Sequence, residues 1–321
     1  MDRKQWLDVL LDRLPKNCLH SKKKLASIAP VSEGGSYRLQ FEDGTVHHAD
    51  TVIGCDGIRS LVRQQVLGEQ LRERWGPRFG GYWDARGRTT PQKAAEQFGT
   101  ELFDPTEPSE VALVGQGAFL LFAPTDEGRV YHVVVSSIAG AEYDKTAWRT
   151  EMSKEVLERL YKDWSEPFRD GVINSLITEE SGPGVVFSQW ESPETPFYNR
   201  HALCVMGDAA HATLPWMGQG ACLSTEDAAV MGALIGSVKH EEELPAAFEA
   251  FSHVRRDRAE HVVRQSQEAA KLLTGQFSLD PAEVAHLEAP KWWTAVWDID
   301  MEKHVQEAIR YHRRVSGRSD F

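Results

Sequence analysis

No apolar run in this 321-residue chain reaches the ~20 residues that a membrane-spanning helix needs. The opening Met1-Asp2-Arg3-Lys4 leads into no secretory-type apolar segment. Cysteine is scarce. Cys18, Cys55, Cys204 and Cys222 are too few for a disulfide framework, and no two stand at the spacing of a zinc knuckle or a redox dithiol. A soluble protein of a reducing, cytoplasmic compartment is the expectation. Basic charge is also short, with 36 basic residues against 48 acidic and a formal net charge of −12. Such a balance offers no general footprint for nucleic acid or an anionic membrane. His47-His48, His253 and His261 lack a convergent carboxylate or cysteine, so no metal site is expected.

What is present suits a globular enzyme. Hydrophobic residues make up 41% and charged residues 26%, enough to build a real core. The length implies two cores, or one large α/β body with an inserted layer. Trp6, Leu7, Leu10, Leu11 and Leu14 recur at helical spacing up to Pro15, with Asp2 and Gln5 as a capping box. A stripe of that size is expected to pack against something. Strands are expected at 25–31, 37–41 and from Val46, with Asp43-Gly44 as a hairpin turn. Two continuously apolar runs, Thr51 to Cys55 and Ala202 to Met206, read as strands covered on both faces. A helix is expected from about Arg59 to Val66.

From about residue 71 to 195 the pattern turns β-rich, through 111–122, 130–138 and 185–190, with helical periodicity over 148–164. A mainly antiparallel sheet with helices on one side is expected there. Beyond it, one helix carries Leu223, Asp227, Val230, Leu234 and Val238 on about one face, and another runs from about Pro245 to Leu273. Of Trp292, Trp293 and Trp297 in the C-terminal tail, Trp293 and Trp297 stand one turn apart and are expected to dock on the core.

The chemistry gathers where two strands end in aspartate. In open α/β sheets ligands bind beyond the carboxyl ends of the strands. There Asp56 and Asp208 can accept hydrogen bonds from sugar hydroxyls, while helix N-termini offer N–H groups to phosphates and electron-rich carbonyls. The second of these sites is a long block, Gly207-Asp208-Ala209-Ala210-His211-Ala212-Thr213-Leu214-Pro215-Trp216-Met217-Gly218-Gln219-Gly220-Ala221, followed by Glu226-Asp227-Ala228. Its small residues let backbone approach a flat ligand, and Gly218 and Gly220 permit unusual φ angles. His211 reads as a packing or hydrogen-bonding residue.

This block resembles the GD motif of the group A flavoprotein monooxygenases, the aromatic hydroxylases with the p-hydroxybenzoate hydroxylase fold. Asp56-Gly57-Ile58-Arg59-Ser60-Leu61-Val62-Arg63 resembles the same family's D-G-x-x-S-x-V-R motif. The helix from Asp2 to Leu7 resembles the family's R-x-x-L helix and the stretch from Phe251 to Arg258 its late arginine-rich helix, while Trp297-Asp298-Ile299-Asp300 is similar to the tail of the fungal salicylate-hydroxylase-like branch.

The resemblance implies an α/β fold: an FAD-binding Rossmann-like body with an inserted, mainly antiparallel substrate-binding sheet and C-terminal helices. It divides the chain into 1–70 and 196–275 (FAD-binding), 71–195 (substrate-binding) and 276–321 (C-terminal helices). It also implies that Asp208 binds the FAD ribityl chain, that Gly218, Gln219, Gly220 and Ala221 face the isoalloxazine, and that Arg3 reaches the cofactor. Asp56 and Arg63 would serve FAD and NAD(P)H. NAD(P)H would reduce the flavin, and one oxygen atom of O2 would pass to a small aromatic substrate. Arg86, in Ala85-Arg86-Gly87, stands where the branch carries an arginine facing the substrate phenolate or carboxylate. Phe119 departs from relatives that carry tyrosine there.

The family opens with a G-x-G-x-x-G turn in a βαβ unit. Gly115-Gln116-Gly117 lies between β-rich runs with no helix after it, and does not supply that turn. The expectation is therefore an enzyme whose first βαβ unit lies outside this sequence, the alternative being a non-catalytic remnant or binding scaffold.

Overall fold

The computed structural model describes residues 3–31, 35–177, 184–192, 194–277, 293–294 and 296–317, without the side chains of Arg3 and Gln5. The capping box of Asp2 and Gln5, and Trp292, lie outside that description, as does the side chain of Arg3. The first helix, α1 (Arg3–Leu11), carries the expected stripe. The stripe is not covered: Trp6, Leu7, Leu10 and Leu14 are each about half exposed, so no described element packs over them.

Strands β1 (Leu25–Pro30), β2 (Tyr37–Phe41) and β3 (Val46–Ala49) form an antiparallel meander, and Gly44 turns the β2–β3 hairpin at φ +83°. The short strand β4 (Val52–Gly54) precedes α2 (Leu61–Leu67), which Ser60 caps by accepting from the Arg63 N–H. A single turn, α3 (Glu69–Arg72), leads to the long strand β5 (Arg78–Thr89) and then to α4 (Pro91–Phe98).

The apolar stretch 111–122 is a hairpin of β6 (Val111–Gly115) and β7 (Ala118–Thr125), because Gly117 at φ +79° reverses the chain. It continues to β8 (Val130–Ile138). The helix expected over 148–164 is replaced by strand β9 (Arg149–Met152) and helix α5 (Lys154–Leu160). Pairing of Arg149 through Met152 with the strand containing Gly184 to Phe187 overrides local helical periodicity. Helix α6 (Glu166–Leu176) and strand β10 (Gly184–Glu191) complete this region. The resulting six-stranded antiparallel sheet has the order β6-β7-β8-β5-β10-β9.

Next come β11 (Asn199–Arg200), β12 (Leu203–Val205), the one-turn α7 (Asp208–His211), a 3-10 turn at Pro215–Met217, α8 (Gly220–Ser237), α9 (Leu244–Leu273) and α10 (Met301–Val315). Strand β12 runs parallel to β4 and antiparallel to β11. The whole is a mixed α/β fold with antiparallel sheets and a closing helix, as the sequence implied.

Alternation along the strands sorts the core. Leu120 and Phe122 on β7, Tyr131, Val133 and Val135 on β8, and Trp83 and Ala85 on β5 are all buried on one face, under α4, α5 and α6. Fully burying such a side chain contributes about 1.5–3 kcal/mol. The opposite face sends Tyr82, Phe119 and Ile138 against Leu214, Trp216 and Met217 and against α9. A third cluster fills the space between β4, β12, α2, α8 and α9.

Close approach of α6 to β5 rests on one glycine. A Cβ at Gly87 would run into the carbonyl oxygen of Ser175 on α6. Gly87→Ala should lower stability by about 1–3 kcal/mol, because backbone has to yield. A chemical-denaturation midpoint compared with the parent checks this, and an unchanged midpoint would contradict the packing.

Candidate active site

Parallel pairing sets the site. Leu203, Cys204 and Val205 stand opposite Val52, Ile53 and Gly54, and the Met206 N–H donates to the Gly54 carbonyl at 3.0 Å. The two strands therefore end side by side, and Asp56 and Asp208 follow neighbouring tips rather than distant ones.

Their carboxylates are not equivalent. Asp56 is committed to α2: it accepts from the Leu61 N–H at 2.8 Å, from the Val62 N–H at 3.3 Å and from the Ser60 hydroxyl. This caps orphan N–H groups at the start of the helix. Asp208 is exposed, with no hydrogen bond to any group among the described residues. It opens α7 behind Gly207, whose φ of +60° favours glycine. A Cβ there would also come within 3.0 Å of the Ser224 hydroxyl.

Beneath the loop lies a buried network that sequence reading did not assemble. Asp227, fully buried on α8, accepts from the Gly207 N–H at 2.8 Å, from His211 Nε2 at 2.7 Å and from Arg255 Nε at 2.6 Å. Arg255, fully buried on α9, also pairs with Glu226 at 2.8 Å and donates to the Leu223 carbonyl at 3.3 Å. Its third nitrogen stands 3.2 Å from His304 Nε2, which accepts and is therefore neutral there. Burial and the nearby Arg255 both press His304 below its usual range. Arg258 adds a second cation to Glu226 at 3.0 Å. Burial pushes the Asp227 carboxyl upward, but His211, Arg255 and the Gly207 N–H outweigh it, and the net direction is down. Glu226 shows the same balance against Arg258 and Arg255. The signal was legible in principle: an aspartate on the apolar face of Leu223, Val230 and Leu234 requires a buried partner.

Other ties hold the loop from outside. Trp216 Nε1 donates to Gln189 Oε1 at 2.8 Å, the Ser266 hydroxyl donates to the Leu214 carbonyl at 2.6 Å, and the Thr195 hydroxyl to the Ala210 carbonyl at 2.7 Å. The Pro215–Met217 turn ends on Gly218 in the left-handed region, φ +65°. Gly220 then starts the 18-residue α8, whose first N–H groups have no acceptor within the helix. Gly218, Gln219, Gly220 and Ala221 are at least partly exposed along this edge.

Arg63 is buried instead of presented. Its guanidinium donates to the Trp75 carbonyl at 2.6 Å, and burial pushes its pKa down to about 10. It lines a cleft of about 350 Å³ together with Arg59, Arg72, Trp75, Trp148 and Trp190. Arg59 stacks over the Trp148 ring at 5.4 Å.

On β5, alternation puts Arg86 on the same face as Tyr82 and Asp84, the face that meets Trp216. The Arg86 side chain is 72% exposed, and its Nε lies 3.3 Å from the Asp84 carboxylate. Burial raises the Asp84 carboxyl, and Arg86 offsets part of that rise. Phe119 packs at 5.8 Å from Trp216, leaving that point of the face apolar.

Residues 32–266 match the family model described as FAD binding domain. The chain is 31% identical to a 6-methylsalicylate 1-monooxygenase of Aspergillus terreus, over 96% of the chain and 67% of that protein. It is 29% identical to an FAD-dependent monooxygenase of Monascus ruber, over 97% of the chain and 72% of that protein. Its fold is similar to that of a salicylate hydroxylase solved as a substrate complex, with a TM-score of 0.80 at 23% identity over 95% of the chain and 75% of that structure.

Asp227→Asn should cost about 3–5 kcal/mol, because it removes a buried charge from the network and leaves Arg255 with Glu226 as its remaining carboxylate. Asp227 and Glu226 sit below their ordinary carboxyl range in the folded chain, so their share of stability is full above the unfolded value near pH 4. It is lost as pH falls through the lower native values. Denaturation midpoints from pH 7 to 3 should fall at the acid end, and less steeply in Asp227→Asn.

Proposed function

The chain belongs to the FAD-binding-domain family of FAD-dependent monooxygenases acting on aromatic and polyketide-derived compounds, and from that premise we propose that it uses NAD(P)H and O2 to hydroxylate a small phenolic substrate, a salicylate-like acid foremost. When bound and reduced, FAD supplies the activation of O2 that no side chain can provide. The residues at the strand tips fit such a group. Asp208 is an uncommitted carboxylate for ribityl hydroxyls, and the Gly207 and Gly218 conformations keep the backbone bare beside it. Gly218, Gln219, Gly220 and Ala221 would line the isoalloxazine, where the start of α8 favours negative charge. Arg3 is proposed to reach the same cofactor from α1.

Asp56 would act by fixing the start of α2, and Arg63 by shaping the cationic, tryptophan-walled cleft in which NAD(P)H is proposed to dock. Residues 71–195 are proposed as the substrate-binding unit, with 1–70 and 196–275 holding FAD and 276–321 closing the fold. Arg86 would anchor the acid or phenolate of the substrate by exchanging Asp84 for it, while Tyr82, Phe119 and Trp216 exclude water. The substrate names come from relatives: one is a 6-methylsalicylate monooxygenase and one a salicylate hydroxylase. Among the described residues no helix is long and apolar enough to cross a membrane.

The observation that carries this reading is the adjacency of the β4 and β12 tips with one free carboxylate between them. Titrating FAD into the purified chain should develop a flavin spectrum, and Asp208→Ala should weaken binding by about tenfold or more. Arg86→Met should raise KM for 6-methylsalicylate about 10- to 100-fold in NAD(P)H oxidation, with a smaller effect on kcat. No flavin binding, or an Asp208→Ala protein that binds FAD as the parent does, refutes the assignment.

A further inference from the structure

The cleft beside α2 is cationic in a chain whose net charge is −12. Arg59, Arg63 and Arg72 line it, and no described aspartate or glutamate does. The acids nearest in sequence stand aside. Asp56 accepts from the Leu61 N–H at the start of α2, and neither Glu69 nor Glu73 lines the hollow.

The three arginines are engaged to different degrees. Arg63 is buried and donates to the Trp75 carbonyl. Arg59 lies over the Trp148 ring, and Arg72, the last residue of α3, is exposed. Among the described residues neither Arg59 nor Arg72 is paired with a carboxylate. Two uncommitted guanidiniums backed by a buried third favour a multiply charged anion, and guanidinium grips phosphate through parallel hydrogen bonds. Trp75 and the half-exposed Trp148 add aromatic faces for a flat base. At about 350 Å³ the cleft is at the small end for ligand pockets, which suits one nucleoside with its phosphates and not a whole dinucleotide.

On the reading that this cleft docks the nicotinamide cofactor, its charge decides which one. A bare ribose 2′-hydroxyl is characteristically held by a carboxylate, and a 2′-phosphate is accommodated by arginine. Here the arginines are present, and no described carboxylate lines the cleft. A 5′-phosphodiester carries a single negative charge, and a 2′-phosphate adds about 1.5 to 2 more. That total suits the three guanidiniums. We propose that the cleft holds the 2′-phosphoadenosine half of NADPH, with Arg59 and Arg72 on the 2′-phosphate, so that the protein selects NADPH over NADH.

Calorimetric titration of adenosine 2′,5′-bisphosphate and of 5′-AMP into the full chain tests this, with FAD in excess to occupy its own adenosine site. The bisphosphate should bind with Kd on the order of 10 to 500 μM, and 5′-AMP at least about tenfold more weakly. Arg59→Gln and Arg72→Gln, both at exposed positions, should each weaken the bisphosphate about three- to tenfold and bring it towards 5′-AMP. Arg63 is left intact because its burial ties it to the fold. Equal affinity for the two nucleotides overturns the 2′-phosphate assignment alone. A preference that survives in the Arg59→Gln/Arg72→Gln double variant puts the nucleotide outside this cleft. That result, or binding of neither nucleotide up to about 5 mM, overturns the docking reading and the assignment together.

Discussion

One buried carboxylate governs the arrangement. Asp227 receives the Gly207 backbone, the His211 ring and the Arg255 guanidinium at once, so three segments distant in sequence share one acceptor. Burying an acid and a base together is costly, and is repaid only when nearly every lone pair and proton is used. That condition is met here: Glu226, Arg258, His304 and the Leu223 carbonyl take up the remaining valence of Arg255 and its neighbours. The strand tip, the loop after it and the start of α8 are consequently fixed relative to one another before any ligand arrives. Preorganisation of this kind is what a flat cofactor with several polar edges requires.

The six-stranded sheet is tied to that loop at few points, but they are directional. Trp216 reaches Gln189 on β10 and packs edge-on against Tyr82 at 5.2 Å, while the Gly117 N–H donates to the Thr274 carbonyl at the end of α9. The β6–β7 hairpin, the middle of β5 and the glycine-rich turn thus converge from three sides. The apolar patch of Tyr82, Phe119, Leu214, Trp216 and Met217 is their common product.

Much of this was legible in the residues. The two apolar runs that end in Asp56 and at Gly207-Asp208 read as strands covered on both faces, and in the structure they pair in parallel. Alternation along 130–138 and the length of α9 read directly. What failed to read was non-local. The segment 148–152 has helical periodicity but is drawn into a strand by β10, and the Asp227–Arg255 pair spans 28 residues with no pattern linking them. The first helix shows the same limit: its spacing announces an amphipathic face, but spacing cannot say what covers that face, and no described element does. The type and position of Asp56 suggested a ligand carboxylate, and spacing did not show that the same carboxylate caps α2.

Strand β5 has a further consequence. Its odd-numbered side chains, Trp83 and Ala85 with Gly87, belong to the packed interior, whereas Tyr82, Asp84 and Arg86 stand on the face turned to the glycine-rich turn. Chemistry and architecture are interleaved along a single strand, residue by residue. On the proposed reading of Arg86 as the substrate anchor, drift at that exposed position retunes which molecules are accepted while the odd positions keep the scaffold intact. A combinatorial library confined to position 86 would then sample selectivity with little penalty in foldability, whereas Tyr82 and Asp84 are buried and hold structure as well.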